Sequence, residues 1–469
     1  DDFVRKTIEE KFNVTLDMHY DPFNDESKQK LNLMIASNSA PDLFVRPGAD
    51  AVELAQAGVL KDLKDVLVPE KLPNLFNWVT QEQVKGFQLA GMDGWYRAPI
   101  GEVSTAYYSY FIRKDWLDKL GLSIPDNYEK LTEVMRAFTE NDPDGNGKKD
   151  TYGFSINGNG TMVNYGFPQF RNHGLFSTYI IDPATRELRT QFTDPKVADV
   201  LDDIRHWIDN GYVDPDWFMS TADDVAIKFA QGRIGMVWVL NTELWAYESR
   251  PDSFYNQLKK IHPDAELVPF NPFPEQPNWT RGTVPSRTWM IHKNVSDEKL
   301  ERIAEIVDWL MSEEGFLLTQ YGLEGKHYTR NGNEITIVPD AFKADVVDKG
   351  NFLTVWDEFT PKDPGALGLT VIDPRMTERD LAIRRTIESY KTGEGLSVNV
   401  SPPEGFNWGD FSKKRYEIQV KVLLDEKDSS KWMEYVQDFA RNYGANELFR
   451  AYVEQLQAAG IDVKDWTDF

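Results

Sequence analysis

Residues 142–150, Asp142-Pro143-Asp144-Gly145-Asn146-Gly147-Lys148-Lys149-Asp150, carry the densest metal-binding chemistry in the chain. Asp142, Asp144, Asn146 and Asp150 put oxygen-bearing side chains at loop positions 1, 3, 5 and 9, and Gly147 at position 6 permits a sharp turn. Calcium takes roughly six to eight oxygens at about 2.3–2.6 Å. Three carboxylates crowded this closely repel one another unless a cation lies between them. Lys148 at position 7 can offer its backbone carbonyl; its ammonium is no ligand. Position 12 is Gly153, so the bidentate Glu of an EF-hand loop is missing. Residues 151–156 read as a strand where an EF-hand would begin its second helix. The spacing predicts one fixed structural Ca2+ rather than a sensor. The alternative is an Asx-rich turn without metal.

Around this loop the pattern alternates between helices and strands. Residues 2–12 place Phe3, Val4, Ile8 and Phe12 at helical spacing, and 14–19 alternate as a strand does. A helix over 26–38 and a strand over 41–45 follow, which predicts a largely parallel sheet covered by helices. Short helices are expected at 113–120, stopped by Gly121, and at 128–140, capped by Asn127. Asp194 heads another helix, with Val197, Val200, Leu201, Ile204 and Ile208 on one face. Residues 220–231 form a helix that runs into a strand over 234–240; 288–292 reads as a returning strand. After Ser296 a 3,4 apolar repeat begins, and 410–460 form a helical tail with Trp432, Tyr435, Val436 and Phe439 on one face.

At 469 residues the chain exceeds what one core usually serves, so two lobes are expected. No run of about 18 apolar residues exists, so no membrane-spanning helix is encoded. Acidic residues number 76 against 52 basic ones, and the net charge of -24 argues against nucleic acid as partner. The absence of cysteine excludes disulfides, thiolate metal sites and cysteine nucleophiles.

Several segments, in order, resemble the family 1 extracellular solute-binding proteins of ABC importers, and within them the long Paenibacillus-type lipoproteins, similar to alginate- and oligosaccharide-binding proteins. They are KQKLNLM at 28–34, ASNSAPDLF at 36–44, IRKDWLDKLGL at 112–122, the acidic loop running into DTYG at 150–153, FAQGRIGM at 229–236, MSEEG at 311–315 and YGLEGKH at 321–327. The set spans residues 28–327; beyond 330 the likeness is loose. Two departures stand out. The family's opening strand and lipid-carrying Cys are not in this sequence, and its Gly-Lys-Ile-Tyr-Gly stretch reads here as Asp93-Gly94-Trp95-Tyr96-Arg97, which points to a different ligand.

The resemblance implies an α/β, two-lobe periplasmic-binding-protein-like fold of type II. It has central, mostly parallel sheets flanked by helices, and one lobe is helix-rich. The expected N-terminal lobe is 1–111 plus 283–325, and the C-terminal lobe 112–282 plus 326–469. Crossings are expected near 110–114, 279–286 and 323–330. The implied function is capture of an oligosaccharide by closure of the lobes, with delivery to the transmembrane permease subunits. The implied protein is an extracellular or periplasmic monomer, held at the membrane only through a lipid anchor outside this sequence.

A pyranose shows a flat C–H face and a rim of hydroxyls, so indoles to cover the face and amides or guanidinium groups to read the rim are sought among the 14 Trp. In such a fold Trp238, near a strand end, leads the candidates, with Asn241 and Trp245 after it. Trp356 follows the last crossing. Trp95 and Arg97 represent the N-terminal lobe, and Arg287 and Trp289 lie on the returning strand. Each has a competing role as core. Trp116, Trp207, Trp309 and Trp432 sit on apolar helix faces and are expected in the core. Gly158-Asn159-Gly160 reads as a turn, or as backbone amides offered to a ligand. No motif for a Ser nucleophile, a Walker loop or a zincin occurs, and no catalytic residue is named. The competing functions are a hydrolase or lyase built on paired carboxylates, and a peptide- or sensor-type binding lipoprotein on the same fold.

Overall fold

The computed structural model describes residues 2–464, apart from 22–24, 48–49, 90–91, 101–107, 281–286, 357, 362, 394–395, 397–399 and 404. The chain forms two compact units. One comprises Asp1–Ser104, Gly282–Arg375 and Ser397–Ser401; the other comprises Thr105–Arg281, Met376–Leu396 and Pro402–Phe469.

In the first unit, Asp2 caps the helix Phe3–Phe12 by accepting the amides of Val4 and Arg5 at 2.9 and 3.1 Å. The helix buries Val4 and Ile8 against Trp309, Leu310, Val346, Leu353 and Trp356. Strand Leu43–Pro47 pairs antiparallel with Arg287–Ile291, which pairs antiparallel with Ala98–Pro99. Helix Asp297–Leu310, capped by Ser296, lays Leu300, Ala304 and Val307 on the cluster that holds Trp289. The hairpin Tyr328–Asn331 and Glu334–Ile337 gains Thr370–Ile372 as a parallel third strand and packs on Phe316 and Leu317.

In the second unit a four-stranded sheet runs in the order Tyr152–Phe154, Ile234–Val239, Ser109–Arg113, Leu267–Phe270. The first pair is parallel and the other two are antiparallel. Asn127 caps Tyr128–Glu140 as its sequence predicts, and Leu131, Val134, Met135 and Phe138 are buried. The helix lies close to the sheet because Gly235 has no side chain there: a Cβ would stand 2.2 Å from the Phe138 ring. The tail folds into helices Trp408–Leu424, Trp432–Asn442 and Ala445–Ala458, and Trp432 donates its indole N–H to the carbonyl of Asp194 at 2.9 Å.

Three expectations need correction. The sheets are not mostly parallel: both strand pairs of the first unit's central sheet, and two of three in the second unit's, are antiparallel among the described residues. The βα pattern presumes that consecutive strands pair, whereas here Leu43–Pro47 pairs with a strand from a far segment. The run 14–19 keeps its alternation, with Val14, Leu16 and Met18 half-buried, but no ladder partner is described for it, and Leu16 N–H goes to the Glu9 carboxylate. Residues 326–375 belong to the first unit, since the hairpin and Trp356 bury their apolar faces in its cores. The chain therefore changes unit at 375/376 where 323–330 was expected; the division at 104/105 falls in 101–107, outside the described residues, and the expected 110–114 spans the end of strand Ser109–Arg113 and the start of helix Lys114–Leu120. The change at 281/282 falls inside the expected 279–286, of which 281–286 lie outside the described residues.

The hairpin Tyr179–Ile181 and Leu188–Thr190 turns on Asp182, which accepts the amides of Ala184 and Thr185 at 2.9 and 3.0 Å. Arg189 bridges Asp182 at 3.0 Å and also pairs with Asp194. The Thr185 amide, then the Ala184 amide and Arg189, hold the Asp182 carboxyl down at about 2 against some burial. A lowered folded pKa stabilises above the unfolded value of about 3.9 and ceases to as pH falls through the folded one. Asp182→Asn is therefore expected to cost about 1–2 kcal/mol at neutral pH, with the difference from the parent protein shrinking between about pH 4 and pH 2. Urea unfolding at several pH values checks this.

Candidate functional site

Strand Ile234–Val239 presents Trp238 half-buried, opposite Tyr110 on Ser109–Arg113. The Tyr108 ring stacks on Trp238, with centroids 4.5 Å apart and planes 2° from parallel. Tyr165 closes on the same indole edge-on at 5.1 Å. The two phenols hydrogen-bond at 3.1 Å. Tyr165 is held by a turn in which Asn164 Oδ1 accepts Gly166 N–H at 2.9 Å and Tyr110 donates to the Gly166 carbonyl at 2.9 Å. Gly166 is required here: a Cβ would come 2.4 Å from Trp238 Cε3. The Trp238 indole N–H is buried with no acceptor among the described residues.

Close to these rings lies Arg171, 3% exposed, on the short helix Pro168–Asn172. It lies over the Tyr110 ring at 5.2 Å and donates to Asn278 Oδ1, while Asn278 Nδ2 donates to the Tyr108 carbonyl at 2.6 Å. Burial pushes the Tyr110 phenol up to about 12 and raises Tyr165 too, so both stay neutral hydroxyls. Burial also lowers Arg171.

Of the residues singled out in the sequence, Trp238 alone belongs to this group. Trp245 packs between Phe229 and Phe254 in the second unit's core, and Asn241 spends its side chain capping Thr242–Ala246. Trp356 is 2% exposed and donates to Asp2 Oδ2 at 3.0 Å; it is a core residue, not an exposed stacking platform. It also forms part of the wall of a cavity of about 530 Å³ in the first unit, which runs along strand Leu43–Pro47 and residues 14–21 and is lined mainly by apolar side chains. Trp289 is fully buried with its indole N–H on the Pro99 carbonyl. Arg97 is 2% exposed, donates to the Phe87 carbonyl, and burial lowers it to about 10. Trp95 packs half-buried on the core beside Trp289. The Arg287 side chain lies outside the described residues. Trp116, Trp207, Trp309 and Trp432 are core, as expected. The amides of Gly158, Asn159 and Gly160 bond the carbonyls of Trp217, Ser220 and Phe218, so this turn docks on its own unit and offers no amide to a ligand.

Sequence reasoning missed Tyr108, Tyr165, Arg171 and Asn278. The only signal was indirect: Tyr108 follows Tyr107 at a change of texture, and Asn164-Tyr165-Gly166 is a turn-forming triplet.

The acidic loop is wound tightly, with positive φ at Asp142, Gly145 and Gly147. Asp142 accepts the amides of Asn146 and Gly147 at 3.0 Å each. Asn146 Nδ2 donates to Asp144 at 2.7 Å and to Asp150 at 3.1 Å, and its Oδ1 accepts Lys148 N–H. Burial, then the Asp142 and Asp150 carboxylates, raise Asp144 against the pull of the Asn146 amide. Among the described residues no three acidic or histidine side chains form a ready metal cluster. The oxygen set still fits Ca2+ in kind, and the Asn146 amide now does part of a cation's work of joining two carboxylates.

Residues 3–315 match the family model described as bacterial extracellular solute-binding protein. The chain belongs to that family. This solute-binding protein is 26% identical over 338 residues to the polygalacturonan/rhamnogalacturonan-binding protein YtcQ of Bacillus subtilis, an alignment covering 69% of this chain and 63% of that protein. It is 34% identical over 170 residues to the fructooligosaccharide ABC transporter substrate-binding protein FusA of Streptococcus pneumoniae, covering 33% and 31%. It thus spans less than two thirds of the length of these curated relatives. Among solved structures, the alginate-binding protein AlgQ2 without calcium ion superposes with a TM-score of 0.70 at 19% identity, over 97% of this chain and 94% of that one. FusA in complex with kestose gives 0.64 at 17%, over 98% and 96%. These likenesses establish the two-lobe, periplasmic-binding-protein-like fold. No helix among the described residues is long and apolar enough to cross a membrane.

The tight seat of Trp238 is open to test. Gly166→Ala is expected to push the indole off Tyr108, lowering stability by about 1–3 kcal/mol and changing the near-UV circular dichroism. An unaltered spectrum with unaltered stability would show slack in this turn.

Proposed function

We propose that this solute-binding protein captures an oligosaccharide outside the cell and hands it, unaltered, to the membrane permease subunits of an ABC importer. The observation that carries this reading is the wall of Trp238, Tyr108 and Tyr165. A pyranose face laid on such rings gains dispersion contacts, about 0.5–1.5 kcal/mol for each ring if they behave like aromatic pairs. The Trp238 N–H lacks an acceptor among the described residues, and of the two phenols that share a hydrogen bond one keeps its O–H to donate to a hydroxyl oxygen. A buried donor left without an acceptor costs about 1–3 kcal/mol, so a hydroxyl that meets the indole recovers that loss. The names of YtcQ and FusA, both binders of sugar polymers or oligomers, favour the same class. Likeness to the lipoprotein LipO of Bacillus subtilis, 25% identical over 317 residues, favours a lipid anchor.

Calorimetry against plant and bacterial oligosaccharides is expected to find a binder, and Trp238→Ala to weaken it about 10-fold. Binding of peptides alone, or of no member of a broad panel, would reject the reading. Chemical change of a bound glycan would replace it with a hydrolase or lyase.

The loop 142–150 is proposed to hold one structural Ca2+ through Asp142, Asp144, Asn146, Asp150 and the Lys148 carbonyl. A likeness to FusA, also solved as an EF-hand mutant, supports this. An ion at 100 times its dissociation constant stabilises by about 2.7 kcal/mol. Chelation is therefore expected to lower the melting temperature and added calcium to restore it, with both effects absent in Asp142→Ala. A melting temperature indifferent to calcium would leave the loop as a plain Asx turn.

A further inference from the structure

Arg171 is a buried cation without a buried anion. Its relative exposure is 3%. Its only protein acceptor among the described residues is the neutral Asn278 Oδ1, and its other contact is the Tyr110 ring. Among the described residues no carboxylate pairs with it. The ionisable groups near it are the phenols of Tyr108, Tyr110 and Tyr165. The other deeply buried charged groups of this unit show what is usual. Arg113 has Asp115 at 2.6 Å, and Asp214 has Lys228 at 2.7 Å. Taking a charge out of water costs several kcal/mol unless a partner compensates. Asn278 and one aromatic face compensate a guanidinium only in part.

The position of Arg171 matters as much as its charge. Two of the three phenols around it, Tyr108 and Tyr165, form the wall on which Trp238 stacks. Asn278, which Arg171 engages, also holds the Tyr108 carbonyl. The uncompensated charge thus belongs to the same cluster as the sugar-stacking surface.

We propose that the sugar recognised here is acidic, an oligosaccharide containing uronate units, and that Arg171 is the residue that selects its carboxylate. This rests on the oligosaccharide reading and narrows it. A guanidinium matches a carboxylate with two parallel N–H donors, a geometry that no neutral hydroxyl reproduces. The net charge of -24 does not oppose this. At physiological salt, fields beyond about 8 Å are largely screened, whereas a buried cation is screened little.

The test is calorimetry on the full chain with galacturonate, glucuronate and mannuronate oligomers, each beside its methyl ester, and with neutral oligosaccharides of equal length. The ester keeps the shape and removes the charge. At least one acid is expected to bind about 10- to 100-fold more tightly than its ester, and to weaken with added salt where the ester does not. Arg171→Gln is expected to bring the acid-to-ester ratio to about one, and Arg171→Lys to keep part of it. Equal loss for acid and ester in Arg171→Gln would make the residue a structural clamp and overturn the proposal. So would wild-type binding of neutral sugars with no preference for any uronate, even if both variants failed to fold; the oligosaccharide reading would then stand. Failure of every sugar, acidic or neutral, would remove that reading and this inference with it.

Discussion

The side chain of Asn278 accepts from Arg171 and donates to the carbonyl of Tyr108, and through that pair of bonds three distant stretches of chain become one cluster. Arg171 comes from a five-residue helix, Tyr108 stands just before a sheet strand, and Asn278 precedes Trp279–Thr280. Tyr108 then stacks on the plane of Trp238, and Gly166, having no side chain, leaves the indole the room it occupies. These rings are held through backbone as well as by one another. Preorganisation of that kind reduces what must be ordered on binding.

Charge is handled in opposite ways at two places in the same unit. In the loop 142–150 three acids lie close together, and backbone amides and the Asn146 side chain satisfy them from within the loop. At Arg171 a cation is buried among neutral groups. Crowded anions at a water-exposed turn are tolerable because solvent and amide dipoles share the load. A buried guanidinium has no such relief and leans on the neutral amide of Asn278 and the Tyr110 ring.

Much of the local structure was legible. The helix Tyr128–Glu140 with its Asn127 cap, the apolar faces of Val197–Asp209 and Trp432–Asn442, and the strand carrying Trp238 follow from spacing and capping chemistry. The family segments were legible too, since motifs in fixed order survive the loss of overall identity. Strand direction was not. Periodicity says that residues 43–47 form a strand, yet its partner at 287–291 lies some 240 positions away, and nothing local encodes which way that partner runs. The placement of 326–375 failed for the same reason: Trp356 is drawn to Val4 and Ile8 from the other end of the sequence.

What the sequence determined alone was whatever depends on neighbours within a few turns: caps, amphipathic faces, the oxygen spacing of the acidic loop, the absence of thiol chemistry. What tertiary structure decided was which aromatic residues are core and which form a surface. Trp289, Trp356 and Trp238 are alike as letters and all sit on or beside apolar runs. The first two are enclosed by side chains from remote segments, with indole N–H groups on Pro99 and Asp2, while Trp238 faces tyrosines and keeps its N–H unspent. Burial is a sum over all packed neighbours, and most of those neighbours are far away along the chain.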